Sequence, residues 1–232
     1  MKNLQRNEDI NQLKLTSRKH VALQIRIDEN ELTDVASNFE KFYWMAPHEI
    51  SNEDGTKKVR NIYHARPRLE RILKGIDKRL LKRCKMINCV HGARLGHSNI
   101  TNASVHVGQK NVLKFDIKDC FPSISNDKVF NLFFKTLKCS PEVANLLTRF
   151  CTADYHLPQG FNTSPSIANM ILQPAIRRIK GLCDKEGLNF TAYIDDITIS
   201  GNKNISQLEP TIKKIIVESQ FKIKIEKTRY LP

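Results

Sequence analysis

An α/β fold, with an antiparallel sheet backed by helices, is what this sequence predicts, and three observations predict it. The stretch Thr191-Ala192-Tyr193-Ile194-Asp195-Asp196-Ile197-Thr198-Ile199-Ser200-Gly201 places two apolar, β-branched runs around a pair of adjacent carboxylates. That is the pattern of a hairpin holding Asp195 and Asp196 at its tip. Upstream, Val112-Leu113-Lys114-Phe115 has strand composition and leads directly into Asp116. Between them, the turn-rich loop Leu157 to Pro165 runs into a helix-like stretch from Ser166 to Ile179. The resulting order is strand, two helices, long helix, hairpin, helix, strand.

Each element has its own signal. Residues 1–30 are polar and irregular, with one short alternating stretch from Val21 to Ile27. Leu32 to Met45 reads as a helix ending near Pro47. Its aromatics Phe39, Phe42, Tyr43 and Trp44 recur at helical spacing and read as core packing. Asn52-Glu53-Asp54-Gly55 is a turn, feeding a basic strand from Lys57 to Tyr63. Pro67 opens a helix with Leu69, Ile72, Leu73, Ile76, Leu80 and Leu81 on one face. Ser125 caps a helix, and Ser140-Pro141-Glu142 starts another. Ser206 to Ser219 reads as an amphipathic helix, and Phe221 to Ile225 alternates as a strand. There is no internal repeat and no low-complexity tract.

The 232 residues suffice for one substantial core or two small subdomains. Hydrophobic content of 40% is ordinary, but the net charge of +14 is not. Such a balance asks for a polyanionic partner, either nucleic acid or an anionic membrane surface. No apolar run approaches the ~20 residues that span a bilayer. Met1 to Gln12 is polar and lacks the apolar centre of a signal peptide. The expectation is therefore a cytoplasmic protein that binds nucleic acid and no membrane. Lys57 to Lys85 holds twelve Lys or Arg against two acids, Glu70 and Asp77. That imbalance points to phosphate contact, with Arg68, Arg71 and Lys78 as candidates. Six cysteines form no CxxC pair, and the histidines complete no zinc spacing, so the thiols read as reduced and structural.

The chemistry suggested by the carboxylates is specific. Adjacent acids repel, so Asp195 and Asp196 call for a cation, either basic side chains or divalent metal. A carboxylate at the end of a buried strand, as at Asp116, is costly unless paired or bound to metal.

The ordered set FDxxDxFPSI (Phe115 to Ile124), LPQGxxxSPxxxN (Leu157 to Asn169) and YxDD (Tyr193 to Asp196) resembles the palm motifs of reverse transcriptases. The nearest likeness is to bacterial retron-type and related defence enzymes. Asn99-Ile100-Thr101-Asn102-Ala103 with His106 resembles the segment preceding the first palm aspartate, and Lys227-Thr228-Arg229 resembles the lysine motif after the hairpin. The resemblance covers about residues 56 to 232. Ile194 departs from the alanine that retron enzymes usually carry there.

The resemblance implies a polymerase right hand. Residues 1–50 would be an N-terminal extension and helix, 51–110 fingers, and 111–232 palm, with fingers elements interleaved near 125–160. The family continues into a primer-grip turn and a helical thumb; this sequence stops at Pro232, so the expectation is a thumb that is missing, truncated or supplied by something else. The implied activity is RNA-directed DNA polymerisation, transferring deoxynucleotides to a primer 3′-hydroxyl with two Mg²⁺ ions, or Mn²⁺ in their place. Asp116 and Asp195 would bridge the ions and Asp196 would support them. The backbone at Asp119 and Cys120 would cradle the triphosphate, and Lys58 or Arg60 would clamp its phosphates. Phe121 would exclude a 2′-hydroxyl, Gln159 would pack on the nascent pair and template, Tyr193 beside the primer end, and Lys227 would either donate a proton to pyrophosphate or be a surface lysine. Implied partners are an RNA template, a DNA or RNA primer, a structured non-coding RNA and an effector protein in anti-phage defence. Two other readings compete: a template-independent nucleotidyl transferase, and a non-catalytic nucleic-acid-binding module.

Overall fold

A computed structural model of the chain describes residues 12–51, 57–225 and 228–231. Helix α1 (Arg18–Ile25) starts where the Ser17 hydroxyl accepts from the His20 amide, and it buries Val21, Ala22 and Ile25. The alternation around Val21 is thus one face of a helix, and Arg26 ends it in the left-handed region at φ 59°. Helix α2 (Glu29–Ser37) is capped by Asp28, whose carboxylate accepts from the amides of Asn30 and Glu31.

Helix α2 does not reach Met45 as the sequence suggested. It stops at Ser37, a 3₁₀ turn covers Phe39–Phe42, and strand β1 (Tyr43–Ser51) takes up Tyr43, Trp44 and Met45. Aromatic residues suit a pleated surface, and Pro47 is tolerated because β1 lies at the edge of a two-stranded sheet. Core packing holds for Phe39, which is 4% exposed, but not for Trp44, which is 47% exposed and stacks on its cross-strand partner His64. Strand β2 (Lys57–Ala65) pairs antiparallel with β1 from Tyr43↔Ala65 to Ser51↔Lys57. The expected turn at 52–55 lies outside the described residues.

Helix α3 (Pro67–Arg79) buries Leu69, Ile72, Leu73 and Ile76 on one face, as their spacing requires. There follow α4 (Asn99–Ser104), β3 (Asn111–Asp116) and α5 (Asn126–Asn131), the last capped by Ser125 and running into a π-helical turn at Leu132–Thr136. Ser140 caps α6 (Pro141–Cys151), and α7 (Ser164–Lys185) extends beyond both ends of the expected helix. The chain closes with β4 (Asn189–Tyr193), β5 (Asp196–Gly201), α8 (Glu209–Glu218) and β6 (Arg229–Leu231). Phe221 to Ile225 is not a strand. It makes one bridge, Ile223 to Ile117, and Ile225 is 74% exposed, so its alternation does not face a core along its length.

The chain divides into two compact units. The first comprises Met1–Lys85 and Ile124–Ile167, the second Met86–Ser123 and Ala168–Pro232. The first centres on Leu32, Leu69, Ile72, Leu73, Phe133 and Phe150, all fully buried. Its buried carboxylate, Asp77, accepts from the Ser166 hydroxyl at 2.5 Å and pairs with Lys82 at 2.8 Å. The second unit holds an antiparallel sheet of order β4-β5-β3-β6. Its interior includes Phe115, Phe190, Ile197 and Ile199 from the sheet, Ile176 and Ile179 from α7, and Ile212 and Ile216 from α8. All six cysteines are buried and none forms a disulfide. Burial pushes Cys84 and Cys89 up to about 11, and Cys151 and Cys183 up to about 12, so these thiols stay protonated and unreactive. No helix among the described residues is long and apolar enough to cross a membrane.

Candidate active site

Asp116, Asp195 and Asp196 all belong to the second unit. Tyr193 pairs with Asp196, closing the β4–β5 hairpin over a two-residue turn of Ile194 and Asp195. Strand β3 runs alongside β5 in a register that makes Asp116 the direct cross-strand partner of Asp196. Directly opposed residues place their Cβ atoms about 4.5–5.5 Å apart on one face of a sheet. The backbone adds two ties: the Ile117 amide donates to the Asp195 carbonyl at 3.0 Å, and the Lys224 amide to the Asp116 carbonyl at 2.8 Å. Asp116 is buried, Asp195 half-buried and Asp196 exposed.

The turn is strained and buttressed. Ile194 has φ 58°, a left-handed conformation that is unfavourable for a β-branched residue. The segment Cys89–Gly92 supports it from the side. The Ala192 amide donates to Cys89 and the His91 amide to Ala192, both at 2.8 Å. Gly92 lies so close that a Cβ there would sit 2.7 Å from the Ile194 nitrogen. The Asn169 amide on α7 holds the Gly92 carbonyl at 2.7 Å. Sequence reasoning quoted Asn169 only as part of a motif and missed Gly92 altogether. A glycine between His91 and Ala93 signals a close approach only once its neighbour in space is known.

Like charges directly opposed across a sheet repel, so this arrangement favours a cation between the strands. Among the described residues no group of three or more carboxylate, imidazole or thiol side chains is placed to hold a metal ion. Mg²⁺ binds through one or two carboxylates and completes its shell with water and substrate phosphates.

Asp119, Cys120 and Phe121 follow β3 in the same unit. Asp119 is left-handed at φ 45°, and its carbonyl accepts from both the amide (2.9 Å) and the hydroxyl (2.8 Å) of Ser123. The Lys118 amide is held by the Lys222 carbonyl at 2.8 Å. The turn is therefore fixed on both sides. It buries Cys120 and leaves Phe121 half-buried.

The remaining candidates lie in the first unit. Lys58 and Arg60 stand two residues apart on β2, so they share one face of the β1–β2 ribbon. The loop carrying Gln159 is bound to that strand, since the Tyr63 amide donates to the Gln159 carbonyl at 2.7 Å. On α3, Arg68 pairs with Asp34 at 2.7 Å and lies over the Phe42 ring, while Arg71 pairs with Glu31. Two of the three cations proposed for phosphate thus have acidic partners on α2. Lys78 is exposed. Lys227 lies outside the described residues.

His106 has a structural place. Its two ring nitrogens meet the hydroxyls of Ser200 on β5 at 2.7 Å and Thr191 on β4 at 2.8 Å, so it pins the arms of the hairpin. Burial, then the neighbouring His91 and Lys114, lower its pKa from 6.5 to about 4. Between those two values the unfolded chain binds the proton more readily, so this contribution is complete above pH 6.5 and is lost as pH falls toward 4. The expected loss is on the order of 1–2 kcal/mol once partial exposure is allowed for. His106→Gln, which keeps a donor and an acceptor, should flatten the fall in melting temperature between pH 6.5 and 5. Part of the fall remains through His91, which burial also lowers. An unchanged slope in the variant would refute the assignment.

Comparison with known proteins agrees with the motifs. The family model described as reverse transcriptase (RNA-dependent DNA polymerase) matches residues 50–232. The Retron Se72 reverse transcriptase of Salmonella heidelberg (strain 579083-10) is 31% identical over 176 residues, 75% of this chain and 46% of that protein. The Retron Ec86 reverse transcriptase of Escherichia coli is 28% identical over 172 residues, 74% of this chain and 51% of that protein. The Retron Ec73 reverse transcriptase of Escherichia coli is 31% identical over 188 residues, 73% of this chain and 59% of that protein. The chain spans about half the length of the curated relatives it matches. With the family model matching most of its length, this chain belongs to the reverse transcriptase family.

Proposed function

We propose that this chain carries the fingers and palm of an RNA-directed DNA polymerase, which adds deoxynucleotides to a primer 3′-hydroxyl opposite an RNA template. The observation that supports the reading most is the register joining Asp116 and Asp196 across β3 and β5, beside the turn that presents Asp195. In this reading Asp116 and Asp195 hold two divalent ions and Asp196 supports them. When bound, such ions supply activation of the attacking hydroxyl and stabilisation of the leaving pyrophosphate. The chain's own contribution is preorganisation. Backbone bonds at Ile117 and Lys224 fix the strand end, so the carboxylates need little rearrangement as charge develops. Lys58, Arg60 and Gln159 serve the nucleotide and template, on a strand and loop already bonded to each other.

Primer extension on a defined RNA template, with products sequenced, tests the reading. Template-copied DNA is the expected result. Products independent of the template would replace it with an untemplated transferase, and tight RNA binding without incorporation would replace it with a binding module. The same assay tests Phe121, which in this reading stacks under the sugar. Phe121→Ala should raise ribonucleotide use relative to deoxynucleotide by at least about tenfold, since removing a steric block shifts discrimination by 1–3 kcal/mol. Unchanged discrimination in single turnovers would remove Phe121 from that role.

A further inference from the structure

We infer that a groove in the first unit, where the ends of α1 and α3 meet, is a binding site for the phosphate backbone of a base-paired RNA stem. Two adjoining cavities form it, of about 370 and 240 Å³, and they share Gln24, Arg79 and Arg83. The first adds Arg26 and Lys78, and the second adds His20. Four Lys or Arg and no carboxylate therefore line the groove. It stands apart from the cations nearer the β1–β2 ribbon. A helix rises about 1.5 Å per residue, which puts Lys78 roughly 15 Å along α3 from Arg68.

The walls are fixed and the cations are not answered. Gly75 lets α1 approach α3 closely, since a Cβ there would sit 3.1 Å from both the Cβ and the carbonyl oxygen of Ile25. Both helices end just past that contact. Earlier cations of α3 have acidic partners: Arg68 meets Asp34, Arg71 meets Glu31, and Lys74 meets Glu70. Among the described residues no ion pair involves Arg26, Lys78 or Arg79. The C-terminal ends of α1 and α3 each supply about half a unit of negative charge, so the groove stays roughly three units positive. Like charges held together favour an anion between them.

Arg26 is the second, independent observation. It closes α1 in the left-handed region, a place that favours glycine and strains an L side chain. The helix end itself is closed by main-chain bonds, from the Arg26 amide to the Leu23 carbonyl at 3.3 Å and from the Ile27 amide to the Ala22 carbonyl at 3.0 Å. The guanidinium is therefore not needed to cap the helix, and its place on the groove is what the strain retains. The lining narrows the ligand. No Phe, Tyr or Trp lines either cavity, so there is no platform for unstacked bases. Guanidinium forks around a concave surface recognise phosphate, and paired RNA is recognised through shape and backbone. The family of this chain acts on RNA, and the inference rests on that encounter, not on nucleotide incorporation.

The test uses the full 232-residue chain and a fluorescent, blunt-ended RNA hairpin, which offers no recessed primer end. Affinity is read by anisotropy over a salt series, with no nucleotides present, so failure here leaves the polymerase reading untouched. Arg26→Gly and Arg79→Gln should each lower the slope of log affinity against log salt by about 1. A hairpin of scrambled sequence should behave the same, and an unpaired strand of equal length should be affected less. Arg26→Gly should also melt at or above the wild-type temperature, because glycine relieves the left-handed strain. Unchanged slopes in both variants would overturn the proposal, as would an Arg26→Gly that melts below wild type, which would make the arginine a structural cap. So would hairpin binding that survives both substitutions while binding to phosphatidylserine vesicles or polyglutamate is lost, which would assign the groove to a membrane or an acidic protein.

Discussion

Replacing Asp195 by asparagine is expected to lower nucleotide incorporation by at least about 10³-fold while leaving the fold intact. The change removes one negative charge and alters almost no volume. The tie between strands at this point is made by main-chain atoms, Ile117 amide to Asp195 carbonyl, and survives the substitution. Asp116 and Asp196 lie close by, so losing one charge relieves repulsion. The melting temperature should stay level or rise slightly, and RNA affinity should not change. Asp196→Asn, at an exposed position whose proposed role is supporting, should cost less activity. Incorporation at the wild-type rate by the Asp195 variant would remove this carboxylate from the chemistry, whatever the family of the chain.

The carboxylate hairpin was legible because its signals are local. Alternating β-branched residues on both sides of Asp195-Asp196 specify two arms and a tip, and no distant contact is needed to read them. The caps at Ser125 and Ser140 were legible for the same reason, since each hydroxyl serves an amide three residues on. What failed depended on partners elsewhere in the chain. Phe39 to Met45 has apolar residues at helical spacing, and only the pairing with Lys57–Ala65 makes its second half a strand. Phe221 to Ile225 alternates like a strand, but its backbone meets β3 only around Asp116–Lys118.

The basic segment shows the same limit in electrostatic form. Counted along the chain, Lys57 to Lys85 has almost no acids. In space, Glu31 and Asp34 of α2 meet Arg68 and Arg71. Charge composition read in one dimension therefore could not show the acidic neighbours that two of these cations have. Such exposed pairs contribute only about 0–1 kcal/mol each, so they bias these side chains rather than lock them.

Gly160→Ala is expected to destabilise the first unit by about 3 kcal/mol or more and to displace Gln159 with it. Two effects add. Gly160 has φ 113°, outside the region L residues adopt readily, and a Cβ would lie 2.2 Å from the Tyr63 carbonyl oxygen. That oxygen belongs to backbone held in the β1–β2 ribbon, so it has no rotamer through which to yield. The adjacent bond from the Tyr63 amide to the Gln159 carbonyl, 2.7 Å, is the first to break if the loop retreats. Gly187 supplies the comparison. It also has a positive φ, 65°, but nothing lies within 4 Å of its Cβ position, so Gly187→Ala should cost only about 1 kcal/mol of conformational strain. Thermal melts of the two variants separate strain from collision. If Gly160→Ala melts no lower than Gly187→Ala and extends primers as the wild type does, the close approach of this loop to β2 is not what holds Gln159 in place.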